Sequence, residues 1–179
     1  MNRTYKIRED LTLKYKGRTL YRIEALVDIP SAEVVAGDIG GYVESYDNLK
    51  DTAWVFNDAK IYDNAKIYDN AQVYDNARVY GEAEICDDAC IAQANYDYIV
   101  FKNWWSSGRY FTWTRSNNMW TVGCFHGTGE ELVKKAYKDS KVSGDNYKAI
   151  VEYVNNVVIP QQSQKQSIRR SSKNIQNKE

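Results

Sequence analysis

The stretch "IYDNAKIYDNAQVYDNARVYGEAEI", residues 61–85, repeats nearly the same six letters four times. Aliphatic residues recur at every sixth position from Val43 to Ile91, and alanines follow four places later from Ala53 to Ala89. Six residues advance an α-helix by 600°, so the apolar stripe of a helix would rotate by about 120° per repeat. Asp and Asn at the third and fourth places favour turns. The period therefore predicts a short strand, a turn and another short strand.

Three phrases of six residues would close a triangular coil of eighteen residues, and such coils stack at the strand spacing of about 4.8 Å. The aliphatic side chain and the alanine would both point into the interior, where only a small residue fits near a corner. This pattern is typical of hexapeptide-repeat proteins. The sequence thus predicts a mainly β fold, a short left-handed β-helix with an N-terminal β-hairpin cap and a small C-terminal α+β unit.

The flanking segments predict the rest of the domain organisation. The alternation around Lys16 and Gly17 indicates a hairpin, and three strands are expected within residues 96–125, the last two joined by the turn "SNN". Thr128 and Glu131 form a capping box before one helix, and a second helix is expected from near Asp145 to just before Pro160. We expect a hairpin cap at 1–42, the repeat segment at 43–96, a β-meander with two helices at 97–160, and a disordered basic tail at 161–179.

Charge and composition exclude several classes of protein. The repeat segment is acidic, with four Lys and Arg against eleven Asp and Glu, so its walls should repel nucleic acid. No apolar run of membrane-spanning length and no signal peptide is present, which predicts a cytoplasmic protein. Three cysteines without a C-x-x-C pair indicate free thiols, and no cofactor motif is present.

The sequence also resembles a known family. The segments "GRTLYRIEALVDI", "AGDIGGYVES", "NLKDTAWVF", the Tyr-Asp-Asn-Ala repeats and "MWTVGCFHGTGEEL" resemble phage and prophage hexapeptide-repeat proteins labelled as hypothetical or polymer-forming. The resemblance covers about residues 15–155. It implies a phage-encoded accessory protein that acts in the cytoplasm of the host bacterium and opposes host defence, and it implies no activity for particular residues.

The sequence predicts neither a catalytic residue nor a metal site. Acyltransferases with this repeat use a histidine as general base, and the single histidine here, His126, lies outside the repeat segment. It could share a strand face with Cys124, two places away, only if the strand continued through the neighbouring glycine. Stacked aspartates can bind calcium, but those at positions 63, 69, 75 and 87 lack the glycine-rich nonapeptide of calcium repeats and are interpreted as turn formers.

Tyrosines of the repeat should point outward, because each follows an inward aliphatic residue. Eighteen-residue spacing would stack Phe56 on Tyr74 and Tyr62 on Tyr80. We expect these rings to pack within the chain or to form an oligomer interface, most simply in a homotrimer. The predicted interface residues are Tyr62, Tyr68, Tyr74 and Tyr80.

The segment "NWWSSGRYFTWTRSNNMW", residues 103–120, is the candidate ligand site. Strand alternation would place Arg109, Phe111, Trp113 and Arg115 on one face, near Trp120. Two guanidinium groups beside aromatic rings suit a flat anionic ligand such as a nucleotide. The alternative is that the rings belong to the core, with the arginines at its rim.

These observations predict a non-enzymatic phage-type binding protein. It would inhibit bacterial antiviral defence by sequestering a nucleotide signal or by docking on a defence protein. Two alternatives stay open, a hexapeptide-type acyltransferase and a structural or oligomerisation module.

Overall fold

A computed structural model describes residues 3–93 and 96–161 of the 179-residue chain. The chain divides into two compact units, Met1–Gly127 and Thr128–Glu179. This division differs from the predicted boundary after residue 96, because the meander belongs to the same unit as the repeat segment. The predicted disordered tail, apart from its first residue, lies outside the described residues.

An antiparallel hairpin opens the first unit, as the sequence predicts. Strands β1 (Tyr5–Tyr15) and β2 (Arg18–Ala25) pair around a turn in which Lys16 and Gly17 both have positive φ, 49° and 79°. Strand β3 (Ile39–Val43) pairs antiparallel with β2 and parallel with β5 of the repeat segment. The hairpin and part of the repeat segment therefore share one five-stranded sheet.

The repeat segment forms seven strands of two residues each. Their partners are always eighteen residues apart: Val55 pairs with Val73, which pairs with Ile91, and Ile61 pairs with Val79. The eighteen-residue spacing predicted for stacked positions is confirmed. The strands are β4 (Trp54–Val55), β5 (Lys60–Ile61), β6 (Lys66–Ile67), β7 (Gln72–Val73), β8 (Arg78–Val79), β9 (Glu84–Ile85) and β10 (Cys90–Ile91).

The predicted fold class needs a correction. A mainly β chain agrees with the structure, but the left-handed β-helix with a separate hairpin cap and a small C-terminal α+β unit is wrong. The strands form four separate sheets, in the orders β1-β2-β3-β5-β8, β10-β7-β4, β6-β9 and β11-β12-β13-β14, and do not close into one solenoid. The physical reason is that β3 makes hydrogen bonds along both of its edges, to β2 and to β5. The hairpin therefore extends a sheet of the repeat segment and is not a separate cap.

The corners of the repeat from residue 51 to residue 87 use a left-handed backbone conformation. The third residue of each of these phrases has φ between 52° and 69°, whereas Ser45 in the first phrase is extended, with φ −152°. Asp, Asn and Gly tolerate this region better than other residues, which explains their recurrence at this place. The prediction that the aspartates are turn formers is confirmed. The residues concerned are Asp51, Asn57, Asp63, Asp69, Asp75, Gly81 and Asp87.

The interior of the repeat segment is filled by the aliphatic and alanine positions, as predicted. Val55, Ile61 and Val73 have no exposed surface, and neither do Ala59 and Ala65. Two glycines of β3 allow this core to continue into the hairpin, because a Cβ at Gly40 or Gly41 would lie 2.6 Å from an atom of Val55. The burial of small and branched side chains in adjacent layers accounts for most of the stabilisation of this segment.

A four-stranded antiparallel meander completes the first unit. It consists of β11 (Tyr98–Lys102), β12 (Tyr110–Thr114), β13 (Met119–Val122) and β14 (Phe125–Gly127). The turn between β12 and β13 is confirmed, but the third predicted strand is two strands, because the chain turns at Gly123, where φ is 59°.

Side chains of the meander satisfy backbone donors of the last repeat layer. The N–H of Glu84 donates to the Thr112 hydroxyl at 3.0 Å, and the N–H of Cys90 donates to the Ser116 hydroxyl at 2.8 Å. In earlier layers the equivalent N–H groups donate to backbone carbonyls of the next layer. The N–H of Lys66, for example, donates to the carbonyl of Ala83. Two hydroxyls thus replace the carbonyls of an absent next layer.

The second unit consists of two helices, α1 (Gly129–Asp139) and α2 (Lys141–Tyr153). The capping box of Thr128 and Glu131 is confirmed. Helix α2 begins earlier than predicted, because the Ser140 hydroxyl accepts the N–H of Ser143. It also continues past its predicted end: a π-helical turn (Val154–Val158) is followed by helical residues 159–161, and this wider turn accommodates Pro160.

The left-handed corners lead to a test at Asp75, whose side chain is exposed. Asp75→Ala should lower the free energy of unfolding by about 1 kcal/mol, because a Cβ without a local polar partner is disfavoured at φ 57°. Asp75→Gly should stay within about 0.5 kcal/mol of the natural protein, since glycine already occupies the equivalent corner at Gly81. Urea unfolding of both variants measures the difference, and equal values would contradict the assignment.

The hydroxyl of Thr112 provides a second test. Thr112→Val should lower the free energy of unfolding by about 1 to 3 kcal/mol, because it leaves the N–H of Glu84 without an acceptor. Thr12→Val, the same change at an exposed position of β1, is the control and should cost under about 0.5 kcal/mol. Equal losses in a urea titration would show that the hydroxyl does not terminate the repeat.

Candidate functional site

The aromatic residues predicted to bind a ligand lie in the interior. Phe111, Trp113 and Trp120 are each 1% exposed or less. Phe111 and Trp120 pack with Phe101 in one cluster of rings, and the indole N–H of Trp113 donates to Asn118 at 2.9 Å. A stacking surface must be open to the ligand, so these three residues are reassigned from the ligand site to the core. The alternative stated from the sequence is the correct one for them.

The two predicted arginines do not lie together. Arg109 precedes β12 and Arg115 follows it, and an extended segment of that length spans about 20 Å. The backbone N–H of Arg115 donates to the carbonyl of Asp97 at 2.8 Å, at the far end of the strand. One small ligand cannot contact both guanidinium groups. Arg115 is therefore removed from the candidate site, and Arg109 is kept.

Arg109 borders an open cleft of about 590 Å³. This volume falls within the usual range for small-molecule sites. The repeat segment contributes a corner and strand β9, β12 contributes its first residues, and the turn between β13 and β14 closes the third side. We call this the Arg109 cleft, and its lining residues are Glu82, Glu84, Arg109, Tyr110, Gly123 and Cys124.

The guanidinium of Arg109 lies over the turn that contains Gly123. A Cβ added to Gly123 would lie 2.6 Å from Nη1 of Arg109, so a glycine is needed for this close approach. Arg109 makes no ion pair with any residue in the described ranges 3–93 and 96–161. Its guanidinium therefore borders the cleft without an ion-pair contact among these residues, although Glu82 and Glu84 also line the cleft.

The two glutamates of the cleft are already engaged by the repeat segment. Glu84 forms an ion pair with Lys66, with Nζ and Oε1 3.2 Å apart. Oε1 of Glu82 accepts the side-chain N–H of Asn64 at 2.7 Å. These partners come from positions eighteen residues earlier, one layer away. Lys66 therefore compensates the charge of Glu84, whereas Glu82 meets the neutral amide of Asn64 and keeps its negative charge.

Tyr110 supplies an aromatic surface beside Arg109. It is 42% exposed, and Lys102 holds its ammonium nitrogen 5.4 Å from the ring centroid. Trp104, in the loop before Arg109, is 77% exposed. In the candidate site, the exposed ring of Tyr110 thus takes the place predicted for Phe111 and Trp113, which lie on the opposite face of the strand. Alternation could have identified Tyr110, but buried Phe111 and Trp113 have the same aromatic character in the sequence.

A second polar cluster joins the meander to the repeat segment. Nδ1 of His126 lies 3.1 Å from the thiol of Cys86 and 3.2 Å from the Thr121 hydroxyl, and Nε2 lies 3.3 Å from a carboxylate oxygen of Asp87. His126 meets these groups and not Cys124, which lies in the turn before β14. Cys86 follows Tyr80 by six residues and so occupies the position that tyrosine holds in earlier phrases. This six-residue spacing could have placed Cys86 on the outer wall of the repeat segment.

The thiol in this cluster is not placed for attack on a substrate. Cys86 is only 2% exposed, and burial raises the pKa of its thiol, which disfavours the reactive thiolate. Burial, followed by contact with Cys86, also raises the pKa of Tyr68. The arrangement instead fastens β14 to the wall of the repeat through hydrogen bonds.

The predicted stacking of repeat tyrosines is confirmed. Phe56 and Tyr74 have ring centroids 4.6 Å apart, and Tyr62 and Tyr80 have centroids 5.3 Å apart, with nearly parallel planes. Tyr62 is buried under Tyr15 of the hairpin and is not available as an interface residue, which corrects that assignment. The homotrimer stays a prediction for the more exposed tyrosines.

No family model matches the chain, and the curated proteins contain no sequence match to it. Within residues 3–93 and 96–161, no helix is both long enough and apolar enough to cross a membrane. In the same part of the chain, no three His, Cys, Asp or Glu side chains are grouped so that they could hold a metal ion.

The three thiols should differ in reactivity. In the native protein a thiol reagent such as DTNB should label two sites per chain, Cys90 and Cys124, which are both exposed. Cys86 should react only in denaturant, because it is buried and its pKa is raised. The Cys90→Ser/Cys124→Ser variant is the control and should show no native reaction. Rapid labelling of that variant would contradict the burial of Cys86.

Proposed function

We propose that this protein is a non-enzymatic binding protein that captures a small, flat anion of the nucleotide class in the Arg109 cleft. The observation that carries the proposal is a guanidinium without an ion-pair partner among the described residues, beside the exposed ring of Tyr110. A guanidinium offers paired N–H donors that match the oxygens of a phosphate, and a tyrosine ring stacks on a base.

The distribution of charge supports an anionic ligand. Lys66 and Asn64 engage the glutamates of the cleft, and Lys102 adds a second positive group next to Tyr110. The ammonium of Lys102 lies over the Tyr110 ring, so a flat ligand would use the other face of that ring.

The cleft geometry favours binding over catalysis. The runner-up function, an acyltransferase, needs a histidine that faces its substrate, whereas both ring nitrogens of His126 face groups of the protein itself, Cys86, Thr121 and Asp87. Among the described residues, His126 makes no hydrogen bond to Cys124, the thiol in the cleft. We therefore place binding ahead of catalysis.

The wider role follows the resemblance to phage hexapeptide-repeat proteins and has no other support. In that role the protein would act in the host bacterial cytoplasm and withdraw a nucleotide signal from an antiviral defence pathway. Capture requires one ligand per chain and no turnover. The ligand should therefore be recovered unchanged from the purified protein.

Replacement of Arg109 tests the site. Equilibrium dialysis with AMP, GMP, CMP and UMP should show binding to the natural protein, and Arg109→Gln should weaken it at least tenfold, as expected for loss of a hydrogen bond to a charged group. Arg115→Gln removes the same charge at the other end of β12 and should change affinity less than twofold.

Two outcomes would contradict the proposal. One is the absence of binding of all four nucleotides at millimolar concentration. The other is an equal loss in the Arg115→Gln variant with its melting temperature unchanged. Recovery of a hydrolysed nucleotide from the natural protein would replace the binding function with an enzymatic one.

A further inference from the structure

We propose that the Arg109 cleft selects a guanine-type ring, one whose edge presents two adjacent N–H donors. This inference rests on the proposed function, because it concerns the ligand of the same cleft. It arises from the one feature of the cleft that anion binding does not explain: two carboxylates, Glu82 and Glu84, line it together with Arg109.

Each of these carboxylates has acceptor capacity left over. Only Oε1 of Glu84 is joined to Lys66, and only Oε1 of Glu82 accepts from Asn64. For the other oxygen of each glutamate, no hydrogen bond is found within residues 3–93 and 96–161. An ionised carboxylate accepts hydrogen bonds and donates none, so a ligand group that pairs with these oxygens must carry N–H or O–H donors.

The bases differ in what they offer to such an acceptor. Guanine presents a ring N–H and an exocyclic amino group side by side, and both donate to one carboxylate. Adenine and cytosine place a ring nitrogen acceptor beside their amino group, and uracil flanks its ring N–H with two carbonyl oxygens. An acceptor set against a carboxylate is repelled and loses its hydration, so a site built from carboxylates discriminates against these three bases.

The spacing of the cleft suits one base. The N–H of Glu84 donates to Thr112 at 3.0 Å, which fixes β12 against β9 at that point. Tyr110 lies two residues earlier on β12, a distance of about 7 Å along an extended strand. A purine ring stacked on Tyr110 can therefore reach from that ring towards Glu84 with its hydrogen-bonding edge.

The charges on the two sides of the cleft also orient the ligand. Arg109 and Lys102 lie on the meander, and the two glutamates lie on the repeat segment. A phosphate would be repelled from the carboxylates and attracted to the guanidinium, which orients the nucleotide with its base towards the repeat segment. The acidic face of the repeat segment, which should repel a nucleic-acid backbone, would thus contact the base of the bound nucleotide.

Calorimetric titration with GMP, IMP and AMP tests the inference, because IMP differs from GMP only by the missing amino group. GMP should bind the natural protein at least tenfold more tightly than AMP, with IMP between them. Glu82→Gln/Glu84→Gln should lower GMP affinity at least tenfold and leave AMP affinity within threefold. Glu82→Gln alone, which retains the pair of Glu84 with Lys66, should show a smaller loss in the same direction.

The control is Glu9→Gln, an exposed glutamate on β1, which should change no affinity. Circular dichroism and the melting temperature verify that each variant is folded. Equal binding of GMP, IMP and AMP by the natural protein would overturn the guanine inference and leave the proposed function standing. Binding of none of the three nucleotides would overturn both the guanine inference and the proposed function. An unchanged preference for GMP over AMP in the folded Glu82→Gln and Glu82→Gln/Glu84→Gln variants would show that the glutamates do not contact the base.

Discussion

The left-handed corner at every sixth residue is the constraint on which the first unit depends. Each corner lets the chain change direction after two extended residues, so that residues eighteen apart meet in parallel register. That register sets which side chains are buried and which face outward. Aliphatic and alanine side chains then fill the interior, and the outward positions form walls of stacked rings and charges. A corner residue with a bulky side chain would oppose all of these effects together.

The end of the repeat determines the position of the meander. Parallel layers leave a row of N–H groups without carbonyl partners at their last edge, and such groups are costly to bury unsatisfied. Thr112 and Ser116 supply hydroxyls to two of them, and the carboxylate of Asp97 accepts two more from Ala92 and Gln93. Because β12 is held there, its first residues lie beside β9, and this placement creates the Arg109 cleft.

Charge compensation within the layers gives the cleft its chemistry. Acidic residues of one layer meet donors of the previous layer, as Glu84 meets Lys66 and Glu82 meets Asn64. Arg109 comes from outside this repeating arrangement and has no corresponding partner in it. An acidic repeat segment can therefore border a cleft that also contains a guanidinium without an ion-pair partner among the described residues.

The sequence by itself determined the period, the turn-forming corners, the buried aliphatic positions, the N-terminal hairpin and the capping box, because each depends on local conformation or on a regular spacing. It did not determine the sheet arrangement or the site. Whether Phe111 and Trp113 are core or ligand residues, and whether His126 meets Cys124 or Cys86, depends on contacts between segments far apart in the chain. Only the tertiary structure decided them, because a β-strand exposes either face equally until another segment covers one of them.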